Sequence, residues 1–179
     1  MDIKEFLNLK SEQYNNVSFI KDDPIQIPHL FNKKEDIEIS GFLTSTISWG
    51  NRKSIIKSSI KMMKLMDNEP YNFIINHSEK DLKNLFKFAH RTFNGYDFIQ
   101  FIISLRHIYV NYGGLEKVFS DNIKNQAMHS SIHEFKKIFF EIPHTERTKK
   151  HVSDPFRGSA SKRINMFLRW MVRKDNKGV

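Results

Sequence analysis

The chain has 179 residues, 39% apolar and 27% charged, which is enough to bury the core of one domain or of two small lobes and too apolar for a disordered segment. It contains no cysteine, which rules out disulfides, cysteine nucleophiles, thiolate-held iron–sulfur clusters and cysteine zinc sites. No apolar run approaches the ~20 residues of a membrane span, and the first seven residues lack a secretory pattern, so a cytoplasmic location away from membranes is expected.

The formal net charge is +9, and its distribution matters more than its size. Between His144 and Val179 ten basic residues (Arg147, Lys149, Lys150, Arg157, Lys162, Arg163, Arg169, Arg173, Lys174 and Lys177) face three acids, Glu146, Asp154 and Asp175. Most of the excess therefore sits in the last fifth of the chain. Charge gathered in one segment points to a polyanionic partner; a basic solvated tail is the plainer alternative.

Taken in chain order, the pattern is helical almost throughout. Residues 2–14 read as a short helix with Phe6 and Leu7 inward. Pro24 and Pro28, within Asp22–His29, suggest an extended connector. Residues 34–48 read as a helix carrying Ile37, Ile39, Phe42, Leu43 and Ile47, with Asp36 and Glu38 near its positive end. Ser48-Trp49-Gly50-Asn51 reads as its stop, and 52–66 resumes the helix. Pro70 suits a first helical position, and Ser78 with Asp81 resembles a capping box. Residues 96–111 are apolar nearly all round and read as the central core helix. Tyr112-Gly113-Gly114 ends it. Residues 115–119 and 128–140 are further helices, and no alternating segment is long enough for a strand. The expected fold class is all-α, a helical bundle, in three segments: 1–32 with the first helix and connector, 33–143 with the helical core, and 144–179 with a basic hairpin and a lysine-bearing helix.

The richest segment runs from Ser153 to Arg173. Pro155 and Gly158 make a tight turn, and Ser159 or Ser161 is placed to cap the helix that follows. The small residues Gly158, Ser159, Ala160 and Ser161 leave amides exposed at a helix start, a ready phosphate site. On a wheel, Ile164, Phe167, Leu168 and Met171 share the core side, with Lys162, Arg169 and Arg173 opposite. A partly buried lysine at a helix start would lose proton affinity and become a nucleophile able to form a Schiff base with a sugar carbon. On the residues alone, phosphate binding by Lys162 stands ahead of catalysis.

The run from Gly158 to Arg173 resembles a bacterial family of uncharacterised proteins that looks like a branch of the helix-hairpin-helix DNA glycosylases, nearest in style to the archaeal 8-oxoguanine enzymes. Asp36–Arg52 and Phe93–Phe119 are similar to the same family, so the resemblance covers most of the chain from about Pro24. It implies the helix-hairpin-helix glycosylase fold. It also implies duplex DNA as partner, a damaged base, an oxidised purine first, flipped into a pocket, and attack on the sugar by Lys162. The hairpin amides of Gly158, Ser159 and Ala160 would hold a phosphate, with Arg157, Ser161, Arg163, Arg169 and Arg173 around them. Asn51 would wedge into the gap left by the base, beside Arg52. The resemblance also implies an aspartate downstream of the lysine. Asp175 is the only acid after Lys162 and does not suit that part, so the chain reads as cut short at its C-terminus.

No cofactor is expected, and a monomer is. His129 and His133 have a metal-ligand spacing without an evident third ligand. Phe93, Tyr96 and Phe98 could stack on a base, but core packing suits them better. The alternatives are a non-catalytic nucleic-acid-binding module and a helical adaptor for an acidic protein partner.

Overall fold

A computed structural model describes residues 2–123 and 127–173. The fold is all-α. The α-helices are α1 (Ile3–Tyr14), α2 (Lys34–Ile47), α3 (Arg52–Leu65), α4 (Pro70–Asn76), α5 (Glu79–Leu85), α6 (Gly95–Asn111), α7 (Leu115–Asp121), α8 (Met128–Phe139) and α9 (Lys162–Val172). A minimal antiparallel pair, β1 (Ala89–His90) with β2 (Phe93–Asn94), precedes α6 and pairs His90 with Phe93.

α2 is the most enclosed helix: every residue from Glu38 to Ile47 is buried. This corrects the expectation that α6 occupies the centre, since Ile103 and Val110 of α6 reach solvent. The reason lies in small hydroxyl residues. Ser40, Ser45 and Thr46 can be buried because their hydroxyls donate to carbonyls one turn back, those of Ile37 and Phe42, at 2.9–3.2 Å. Counting only apolar positions hides such a helix. Phe42 sits at its middle and meets the rings of Phe101, Phe135, Phe139 and Phe167, with centroids 5.4–5.8 Å away. One ring thus joins α2 to α6, α8 and α9. Gly41 lets α9 lie close: a Cβ there would come 2.9 Å from Met171 Cε.

The segment from Asp22 to His29 is coiled rather than extended. Pro24 and Pro28 each open a 3-10 turn, Asp23 caps the first by accepting from the Ile25 amide at 3.1 Å, and Ile25 and Ile27 are buried. Proline's fixed φ suits a first helical position as well as it suits extended chain. Phe6 and Leu7, expected inward, are exposed, and no residue of α1 is buried. Ser78 and Asp81 form the expected capping box of α5, and Asn94 with Asp97 forms another at α6. Gly95 follows, where the backbone of Phe86 lies so near that a Cβ would fall 2.4 Å from its Cα. Among the described residues, Val152, Ile164 and Phe167 belong to the same apolar core as Ile27 and Phe42, so the basic segment is built into the body of the molecule.

Candidate nucleic-acid interface

The basic segment begins with a 3-10 turn, Glu146–His151. A buried carboxylate holds it in place. Asp97, fully buried in the first turn of α6, accepts hydrogen bonds from the Asn94 amide at 3.0 Å and the Thr148 hydroxyl at 2.9 Å. Its other partners are the Arg147 guanidinium and, 3.3 Å away, His151 Nε2. Arg147 also donates to Asn94 Oδ1 at 3.1 Å and to the Thr92 carbonyl at 2.8 Å. Burial pushes the Asp97 carboxyl up, but these donors together hold it below its ordinary value. His151 is buried among Trp49, Phe93 and Phe101. Burial outweighs the Asp97 charge and lowers its pKa to about 4, so it is neutral at pH 7.

The next turn, Pro155–Arg157, is closed from below. Asp154 accepts from the Phe156 amide at 3.0 Å and lies 2.9 Å from His133 Nδ1. Gly158 follows at φ 76, which permits the reversal without strain on a side chain. The amides of Gly158 and Ser159, expected to hold a phosphate, are engaged within the turn, donating to the carbonyls of Pro155 and Asp154 at 3.0 and 3.3 Å. The expected cap of α9 is also absent. Ser159 Oγ accepts from the Ser161 amide instead, and Ser161, itself left-handed at φ 46, has a buried hydroxyl that caps nothing. Two 3-10 turns, not a pair of α-helices around a short hairpin, lead into α9.

α9 is amphipathic as the wheel anticipates. Ile164 and Phe167 are buried, Leu168 and Met171 half-buried, Lys162 and Arg169 exposed, Arg173 half-buried. Lys162 is exposed, so the partial burial that would favour a nucleophilic lysine is not in place; among the described residues no carboxylate or imidazole pairs with it. Arg163 is different. It turns inward, donates to the Thr46 carbonyl at 2.5 Å, and lies over Trp49 with 4.9 Å to the ring centroid. A guanidinium suits this place, the negative end of α2 beside an aromatic face. The Arg163 guanidinium is engaged within the scaffold, by the Thr46 carbonyl and the Trp49 ring.

The same contact brings together two segments more than a hundred residues apart. The Trp49–Arg52 turn and the start of α9 share one end of the molecule. Trp49 is half-buried between Arg163, His151 and His90. Arg91 packs on Gly50, where a Cβ would meet its Nη2 at 2.3 Å. Asn51 caps α3, accepting from the Ser54 amide at 3.1 Å, and Arg52 is 3.7 Å from Asp23. Asn51 is exposed but its side-chain oxygen is engaged in capping. Burial, then the Arg91 charge, lowers the pKa of His90, whose Nδ1 meets Ser58 Oγ at 2.8 Å.

The chain belongs to the family described as a protein of unknown function, DUF2400, whose model matches residues 23–179. Neither a curated protein nor a solved structure matches it. The family match takes in α2, the Trp49 turn and the whole basic segment.

The remaining expected residues fall out simply. Phe93 and Phe98 are buried in the core, and Tyr96 is exposed against Phe86. His133 is occupied by Asp154 and lies against Phe156; among the described residues no three acids or histidines are grouped to hold a metal. None of the described helices is long and apolar enough to cross a membrane. Lys174, Asp175 and Lys177 lie outside the described residues. Two features escaped the sequence reading: the Asp97 network, signalled only by Asn94-x-x-Asp97, and the inward turn of Arg163.

Proposed function

We propose that this chain binds duplex DNA in the manner of a base-excision glycosylase, with the start of α9 and the Trp49–Arg52 turn facing the duplex and Lys162 as nucleophile. The observation that carries the reading is the joining of those two segments at one end by Arg163, with Lys162 exposed beside it. In the proposed reaction the Lys162 amine, its proton given up to solvent, attacks the sugar C1′ as the damaged base departs with the bonding electrons and takes up a proton. Cleavage of the bond from C1′ to the ring oxygen, which is protonated to a hydroxyl, with loss of the remaining nitrogen proton gives an imine that borohydride reduces to a stable amine. Arg157, Lys162 and Arg169 supply exposed charge for phosphates, while Arg163 holds the turn.

The test is borohydride trapping on duplexes carrying 8-oxoguanine or an abasic site. A covalent adduct lost in Lys162→Ala supports the reading; no adduct from the intact protein, or one indifferent to that substitution, overturns the enzymatic part. A non-catalytic nucleic-acid-binding module is the second reading, favoured by the exposure of Lys162 without a base beside it. It predicts salt-sensitive duplex binding with no adduct. A helical adaptor for an acidic protein predicts no duplex affinity at moderate salt.

A further inference from the structure

A second basic feature lies beside the α9 end. α8 and the two 3-10 turns enclose an open cleft of about 680 Å³. Five cations line it: Lys136 and Lys137 from α8, Lys149 and Lys150 from the first turn, and Arg157 from the second. Two of them are neutralised locally, Lys137 by Glu134 at 2.9 Å and Lys149 by Glu146 at 2.6 Å. Asp154 is taken by His133 and the Phe156 amide. Lys136, Lys150 and Arg157 are left without a carboxylate partner among the described residues. Lys136 is half-buried; burial lowers its pKa, as do the charges of Arg157 and Lys149, against the pull of Asp154. Lys136 is within electrostatic reach of Arg157 and Lys149, and Lys150 lines the same cleft; cations gathered so repel unless an anion enters.

The walls are also fixed. One turn is tied to α6 through Asp97, the other to α8 through the contact of Asp154 with His133. A site whose charged groups stand on held elements loses little entropy on binding. One guanidinium fork and two ammonium groups match the several oxygens of a phosphate better than a single carboxylate.

We infer that the cleft between α8 and residues 146–157 is a phosphate-binding site, with Lys136, Lys150 and Arg157 as its ligands. Two sources carry that chemistry: a phosphate of a nucleic-acid backbone passing on from the α9 end, or a small phosphorylated molecule. The site stands whether or not Lys162 performs chemistry.

The experiment is calorimetric titration of the full chain with inorganic pyrophosphate, alongside binding of an undamaged duplex over a range of salt. The intact protein binds pyrophosphate. Lys136→Gln with Lys150→Gln weakens it by about tenfold or more, Arg157→Gln does the same alone, and Lys162→Gln leaves it nearly unchanged. If the backbone is the source, the double variant also lowers the salt dependence of duplex binding by about two phosphates. If a small molecule is the source, duplex binding is unmoved while pyrophosphate binding falls. Circular dichroism confirms that each variant folds. Absence of pyrophosphate binding by the intact chain, or loss equal in Lys162→Gln and the double variant, overturns the site; failed trapping at Lys162 does not.

Discussion

Between His144 and Arg173 six of the basic residues fall into two groups that look alike in sequence. Arg147 and Arg163 are bound to protein atoms: one to Asp97, Asn94 and Thr92, the other to the Thr46 carbonyl and the Trp49 ring. Lys150, Arg157, Lys162 and Arg169 are exposed. The first group builds a platform and the second is presented on it. Net charge alone does not separate the two, because a guanidinium tied to a carbonyl or a buried carboxylate counts the same as one facing water. The comparison also explains why this is not a solvated tail: the exposed cations stand on turns and a helix that share the core.

The platform is broken most severely at Asp97. Asp97→Ala removes the carboxylate that ties Arg147 and Thr148 to α6 and is expected to cost about 3 kcal/mol, read by urea denaturation, and to weaken duplex binding as the 146–157 segment loosens. Next comes acid. His151 has a folded pKa of about 4, below its ordinary 6.5, so the unfolded chain takes up the proton first. The stability due to this group is complete above pH 6.5 and is lost as pH falls through that window to about 4. Asp97, also held low, loses its contribution as pH falls below its ordinary 3.8. Denaturation midpoints measured down the pH scale check this, and His151→Phe flattens the part between 6.5 and 4 if the fold accepts the ring.

A smaller effect is expected at Arg163. Arg163→Gln uncovers Trp49 and weakens the bond to the Thr46 carbonyl, for about 1–2 kcal/mol of stability. Arg163→Lys does not restore it, since an ammonium lacks the planar fork. Thermal unfolding separates this from the neighbouring position: Lys162→Gln leaves the melting temperature nearly unchanged. The smallest effect is on salt dependence, where Lys162→Gln lowers the slope of duplex affinity by about one. If Lys162→Gln destabilises the fold and Arg163→Gln does not, the division between platform and presented charge is wrong.

Much of the architecture is legible in the residues. Stops at Gly50 and Gly113, proline at the start of α4, the Ser78–Asp81 box and the amphipathic stripe of α9 all follow from local chemistry. The centrality of α2 does not, because Ser40, Gly41, Ser45 and Thr46 carry no apolar signal and are buried by bonding back along their own helix or by admitting α9. The 3-10 turns at Pro24 and Pro28 were hidden because proline suits either conformation. At the site, the turn at Gly158 and the exposure of Lys162 follow from the sequence, but the fate of individual polar groups does not. Whether Arg163 faces the core, or the amides of Gly158 and Ser159 are already engaged, depends on where Thr46, Trp49 and Asp154 stand, and those placements come from long-range packing.

The most direct measurement is the identity of the lysine joined to DNA. The intact protein is incubated with an abasic duplex and borohydride, digested, and the DNA-bearing peptide sequenced by mass spectrometry. Lys162 is predicted as the single modified residue. An adduct on Lys136, Lys150 or another lysine, or no adduct at all, contradicts the account of Lys162 as the nucleophile presented at the start of α9.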